Sequence, residues 1–345
     1  MQNKIGSLAG IALIQMGLVA WFWFGSDARD AQTTRLFAVD VQAVDRLSIS
    51  SSETEVEVVR TDQGWQVGGA PADAEKVSAL LDKLVALEAP WPAGTSAEIA
   101  QRFEVTESNF QRRVTLSAAG TTVAEAYFGT SPCYQRVHAR MAQSDQVYAV
   151  KLSNYELGLN IDAWLDKAVM ATEQPITRVQ LNQQEVPLPA LTSASSRVLE
   201  QDLDDTGNVL WTFAGEPADV TKAETYVNRF GNLRVLGLAD PELVASAGLL
   251  ASIDLTTETG SVRYEVLGVP GEGPQSETDQ TQNNQSEASQ EQAGESMSGQ
   301  AQSGSENGPE IDQYLIKQDG VEQVYRLASY VAEQLLMQDT DFKTL

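Results

Sequence analysis

The alternation of apolar and polar positions divides the chain into two similar series of elements. Residues 55–60 alternate with the two-residue period of a strand, Asp62-Gln63-Gly64 supplies a turn, and Trp65-Gln66-Val67 returns. Further along, residues 197–203 alternate, Asp204-Asp205-Thr206-Gly207-Asn208 turns, and residues 209–213 return through Trp211. Each Trp is followed by a Pro (Pro71, Pro217) and, eight residues on, by an Asp (Asp73, Asp219), which together signal a helix start. The spacing then predicts an amphipathic helix in each half. Val77, Leu80, Leu81, Leu84 and Leu87 form an i, i+3, i+4 stripe, and Ala223, Tyr226, Val227, Phe230 and Leu233 repeat it at a constant offset of 146.

Paired strands follow in both halves: 114–117 with 123–128, and 253–256 with 262–267, each ending in an apolar residue and Gly (Phe128-Gly129, Leu267-Gly268). A further hairpin, 136–141 into 146–150, is matched by 313–317 into 323–327, and both returning strands carry Val-Tyr (Val147-Tyr148, Val324-Tyr325). The expected fold is therefore α+β. Two tandem modules, residues 35–170 and 171–345, each hold a hairpin, one amphipathic helix and a four-strand meander of mainly antiparallel sheet. The helix lies across its own module's sheet, because one apolar face has to be buried against another. Chance similarity between two unrelated α+β domains is the competing reading, and the matched Trp, Pro and Asp positions weigh against it. Residues 275–308 interrupt the second module with Gln, Ser, Glu, Asn and Gly and contain no aromatic residue, Lys or Arg. Such a stretch cannot bury enough surface to offset its ordering entropy and is expected to be a disordered insertion in a surface loop.

The N-terminus departs from this pattern. Residues 5–24 are apolar except for Ser7 and Gln15, carry no charge, and end in Trp21-Phe22-Trp23-Phe24. As a helix they rise about 30 Å, the thickness of a bilayer's hydrocarbon core. Residues 1–25 thus read as a transmembrane anchor and 26–34 as a linker. Lys4 on the near side, and Asp27, Arg29 and Asp30 on the far side, orient a single pass in the cytoplasmic membrane with the bulk of the chain exported to the periplasm. A cleaved signal peptide is the alternative, with Ser26 and Ala28 before the cut, but the apolar run exceeds the usual h-region and ends in bulky aromatics. No cysteine follows the run, which excludes a lipoprotein anchor. The remainder is strongly acidic: 23 Lys and Arg oppose 48 Asp and Glu, a net charge of -25. That balance excludes nucleic acid as a partner. With 42% hydrophobic residues, the chain has material for a real core.

Candidate chemistry is sparse. A single cysteine, Cys133, excludes an internal disulfide and any multi-cysteine metal site, and a single histidine, His138, excludes His-rich centres. Cys133 lies in Ser131-Pro132-Cys133-Tyr134 with no basic neighbour close in sequence, and reads as an incidental thiol. His138 falls in a strand on the face of Arg140, and its counterpart in the second module is Leu315, so the fold does not require an imidazole there. Asp202-x-Asp204-x-Thr206-Gly207 mimics the opening of a calcium loop, but the twelfth position is Phe213 rather than Glu, and a solvated turn is the expected reading. Trp65 and Trp211 could serve as sugar-stacking platforms, although their matched positions opposite a helix stripe favour core anchors. No catalytic, cofactor-binding or metal-ligating residue is assigned.

An N-terminal anchor, Trp-x-Val before Pro-x-Asp, an amphipathic helix, and strands ending in Phe-Gly and Val-Tyr-x-Val together resemble a bacterial family, domain of unknown function four-three-four-zero. Phe103-Glu104-Val105 sits where that family often has an aromatic-Gly-Leu triplet, without its Gly, and Ala247-Gly248-Leu249 fits the same slot better. Ile161-Asp162-Ala163-Trp164-Leu165-Asp166-Lys167 resembles the segment that closes the family's repeat. The resemblance implies a single-pass envelope protein, often encoded beside ABC-transport components of the gliding-motility auxiliary type. It implies no catalytic residues. The expected function is a non-enzymatic, membrane-anchored periplasmic auxiliary or scaffold protein. Its partners would be ABC-type transport components, and it would meet the lipid bilayer through residues 5–24. The alternatives are a membrane-anchored hydrolase acting on envelope polymer and a periplasmic ligand-binding protein using a cleft between the modules.

Overall fold

The computed structural model describes residues 34–89, 91–183, 195–271 and 311–336, together with Phe342. The chain divides into two units between Asp166 and Lys167. In the first, β1 (Thr34–Arg35) pairs with β6 (Glu88–Ala89) as a small separate ribbon. The main sheet contains β2 (Arg46–Ser50), β3 (Glu55–Thr61), β4 (Gly64–Val67), β5 (Ala70–Pro71), β7 (Pro92–Gly94), β8 (Arg112–Ala118), β9 (Thr121–Phe128), β10 (Val137–Met141) and β11 (Val147–Val150). Its order is β5-β4-β3-β2-β8-β9-β10-β11-β7.

The second unit holds β12 (Ile176–Gln183), β13 (Ser195–Leu203), β14 (Val209–Phe213), β15 (Glu216–Pro217), β16 (Gly237–Leu238), β17 (Gly248–Thr257), β18 (Gly260–Pro270), β19 (Ile311–Gln318) and β20 (Val324–Leu327). Its order is β15-β14-β13-β12-β17-β18-β19-β20-β16, the same path strand for strand. All of these pairings are antiparallel. The repeat extends to register. Leu116, Leu47, Val58 and Val67 stand in one row across the first sheet, and Leu255, Val179, Leu199 and Phe213 make the same row in the second. Alternating residues put these side chains on one face of each sheet, where most are fully buried.

That face is covered by the amphipathic helix of each unit, α1 (Ala74–Val85) and, in the second unit, the helix Val220–Gly231. Asp73 and Asp219 cap them, each carboxylate accepting from the backbone N–H three residues on, Lys76 at 2.9 Å and Lys222 at 3.1 Å. Val77, Leu80, Leu81 and Leu84 are buried in one helix and Ala223, Tyr226 and Phe230 in the other, with Val227 half-buried. Each helix rests against the strand that carries the Trp, β4 or β14. Trp65 and Trp211 are both buried, as expected of core anchors.

Three features differ from the pattern read in the sequence. Each sheet has three strands beyond the expected six: a central strand, β2 or β12, which joins the hairpin to the meander, and two short edge strands, β5 and β7 or β15 and β16. With the main helix Val220–Gly231 numbered α3, short helices also accompany the main ones: α2 (Ala97–Arg102) in the first unit, and α4 (Pro241–Ser246) and α5 (Ser329–Leu335) in the second. In the first unit α2 covers the opposite sheet face, where Ala100, Val105, Tyr127 and Val147 form a small separate core. Finally, the match of Phe128-Gly129 to Leu267-Gly268 slips by one residue. Phe128 pairs with Arg112 and Ala139, whereas the same node in the second sheet is Val266, paired with Ala251 and Ile316. The cause is a bulge: Leu116 pairs with Ala124 and Ser117 with Thr122, which leaves Val123 as an extra residue.

The anchor at 5–24 and the insertion at 275–308 lie outside the described residues. Among the described residues, no helix is long and apolar enough to cross a membrane.

Candidate partner-binding site

The residues singled out by sequence do not converge. His138 is buried on the α2 side of the first sheet. Its ring stacks on Phe103 with centroids 3.8 Å apart, and Nδ1 lies 2.9 Å from the Thr130 hydroxyl. Burial pushes its pKa below the ordinary imidazole value, so the neutral form is favoured. Cross-strand pairing puts it at the place of Leu315, since Ala139 pairs with Tyr148 as Ile316 pairs with Tyr325. The surroundings are those of a packed aromatic side chain.

The calcium-like turn is occupied by its own backbone. Asp204 Oδ1 accepts from Thr206 N–H (2.8 Å), Thr206 Oγ1–H (2.7 Å) and Asn208 N–H (2.8 Å), and Oδ2 accepts from Asn208 Nδ2 (2.9 Å). These donors push the Asp204 pKa far below the usual carboxylate range. Gly207, with φ of 84°, completes a self-contained turn. Among the described residues, no group of three or more His, Cys, Asp or Glu side chains is placed to hold a metal ion.

The short motifs of the family resemblance also have structural explanations. A Cβ on Gly129 would lie 2.0 Å from the Phe103 carbonyl oxygen, so only Gly allows the turn after α2 to reach the sheet. Glu104, at the position where the family's triplet has Gly, adopts φ of 57°, the left-handed conformation that Gly favours. Gly248 does not share this geometry, because it already belongs to β17 and pairs with Gly268. The two triplets thus follow equivalent short helices but differ in conformation. Trp164, in the closing segment, is fully buried, and its carbonyl accepts from Asp73 N–H at 2.8 Å. Phe342 fills the same role in the second unit, accepting from Asp219 N–H at 3.2 Å. Sequence spacing misses this pair, because 178 positions separate it against 146 for the helices.

A family model described as Domain of unknown function (DUF4340) matches residues 66–251, more than half of the chain. The chain belongs to this family. The match runs from the return strand of the first hairpin into β17 of the second unit, and so includes both amphipathic helices. None of the curated proteins and none of the solved structures matches the chain.

What the first unit of this DUF4340 protein offers chemically is a cleft of about 640 Å³ at one end of its sheet. One wall is the loop between β9 and β10, with Ser131, Cys133, Tyr134 and Gln135; another is Lys83 on α1. The third is the segment after β11, with Lys151, Ser153, Tyr155 and Glu156. Ser153 N–H donates to Glu156 Oε1 at 3.0 Å in a capping box, and the other Glu156 oxygen pairs with the Lys83 ammonium. One carboxylate therefore ties a 3₁₀ turn to the main helix. Tyr155, on the outer side of that turn, is 98% exposed, and Tyr134 across the cleft is 88% exposed. The cleft brings Cys133 together with two lysines that are far from it in sequence, and its thiol is free and exposed.

Proposed function

We propose that this DUF4340 protein is a non-enzymatic auxiliary or scaffold subunit of a bacterial membrane complex of the ABC-transport or envelope-assembly type. Residues 5–24 hold it in the cytoplasmic membrane, and the two modules stand on the periplasmic side. The observation that supports partner binding is the pair of exposed tyrosines beside the first unit's cleft. Large, stiff, amphipathic side chains contribute contact area at low entropic cost and are enriched at interfaces. With Lys83 paired to Glu156, Lys151 leaves the cleft a net positive charge on a chain of net charge -25, which favours a partner with acidic groups. The transport context comes from the family resemblance, and the anchor from the apolar run.

The test is affinity purification of the full chain from detergent extracts of its own membranes, in parallel with a Tyr134→Ser, Tyr155→Ser variant. The expected result is a defined set of membrane proteins recovered with the natural chain and reduced at least about tenfold with the variant, a loss of about 1.4 kcal/mol, as for tyrosines that anchor an interface. Maleimide labelling of Cys133 should also slow in the recovered complex. Equal recovery by both chains, together with unchanged labelling, would remove the cleft from the interface.

A further inference from the structure

Among the described residues three tryptophans are buried, Trp65, Trp164 and Trp211, whereas Trp91 is 75% exposed. A side chain of this size is ordinarily well covered, so something outside the unit is expected to cover it. The fold does not require the ring. Pro92 pairs with Tyr148 as Leu238 pairs with Tyr325, which puts Trp91 at the place of Gly237. The second unit follows no anchor-like run, and beside that glycine it has an exposed Leu236 and no aromatic residue.

Trp91 stands where the chain enters the first unit. β1 and β6 pair Thr34 with Ala89 in antiparallel fashion, and Leu36 N–H donates to the Leu87 carbonyl at 2.9 Å. Beyond Ala89 the chain therefore heads to the side from which residue 33 arrives. Opposed Cα atoms lie at most about 5.5 Å apart and consecutive ones about 3.8 Å, which keeps Trp91 within roughly 13 Å of Thr34. Thr34 follows Phe24, the last residue of the apolar run, by ten positions. Such a stretch spans at most about 36 Å. Pro92 confines the residue before it to extended conformations, so the ring is presented on a stiff segment. Residues 89–97 carry no charge on a chain of net charge -25, and Glu88, next to them, stands opposite Arg35.

Position and chemistry select a lipid surface as the occupant. An indole has an apolar body and a single N–H donor, which suits the boundary between headgroups and acyl chains. We infer that Trp91 inserts into the headgroup region of the bilayer that holds residues 5–24, docking the entry end of the first unit against the membrane. The inference rests on the membrane anchor of the proposed function. One ring alone binds a bilayer weakly, but a short tether holds it at high local concentration, so the contact forms only in the anchored chain.

The test is reconstitution of the full chain in phosphatidylcholine vesicles, with and without bromine on the acyl chains near the headgroups, in parallel with Trp91→Phe. Bromine quenches indole emission on contact. The difference in emission between the two chains isolates Trp91 from Trp21 and Trp23, which both chains keep. Brominated lipid is expected to lower this difference at least twofold. Emission shielded from aqueous iodide yet untouched by bromine would assign Trp91 to a protein surface, such as a second copy, and overturn the inference, as would emission fully open to iodide. Flotation with the vesicles after a carbonate wash separates this result from the anchor. A chain that fails to float defeats the anchor and the inference together, whereas a floating chain with unquenched Trp91 defeats the inference alone.

Discussion

Trp65 and Trp211 occupy the same node of the two sheets, each beneath its own helix, and each carries a large share of the local core. Truncating either to Ala should cost about 3–5 kcal/mol, the usual range for emptying a buried large aromatic site. Urea denaturation of each variant measures it, and a loss below about 1 kcal/mol for either would remove that Trp from the core. His138 makes a different prediction. Its folded pKa is depressed by burial, so the unfolded chain binds the proton more readily. The stability it contributes is complete above the unfolded value of roughly 6.5 and is lost as pH falls from there through the depressed folded value. His138→Leu, which installs the second unit's residue at that node, should flatten the fall in melting temperature between pH 7 and pH 5. An unchanged pH profile would mean that His138 is not the group responsible.

At the scale of elements, legibility followed the length and regularity of each pattern. The two helices and their Asp caps were readable because five apolar positions recur at helical spacing after a Pro and an Asp. The long hairpins were readable from alternation and turn residues. The central strand β2 has only Leu47 and Ile49 as its buried apolar pair, too short a run to stand out, and β12 hides its alternation behind a register shift between Ile176 and Arg178. The bulge at Val123 moved a motif by one residue, which no spacing rule could detect. The cleft was not legible, because Lys83, Cys133 and Tyr155 come from three separate elements. The same ladder supports a prediction about the insertion. Val269 pairs with Gln313 and Pro270 with Ile311, so the chain ends on either side of it already lie side by side. Deleting 275–308 and closing the gap with a short Gly-Ser link should leave the melting temperature within a few degrees, since loop length costs little free energy. Loss of the cooperative transition would make the segment part of the fold.

For the whole molecule, the deciding contrast is between one uncharged apolar run and an acidic remainder. Two modules with their own helices, Trp anchors and closing residues (Trp164 and Phe342) bury their apolar stripes against their own sheets. They leave no comparable lipid-seeking stretch among the described helices. A net charge of -25 repels anionic headgroups, so surface adsorption is not the attachment expected of the proposed membrane protein. The proposed attachment is through residues 5–24, because an apolar run of this length would, as a helix, match the hydrocarbon core. The full chain should therefore sediment with membranes, resist extraction by high salt or alkaline carbonate, and leave only with detergent. Residues 26–345 expressed alone should remain in the supernatant and unfold cooperatively without detergent. Carbonate release of the full chain would turn the run into a removable leader, and sedimentation of 26–345 with the membrane would place the attachment within the modules.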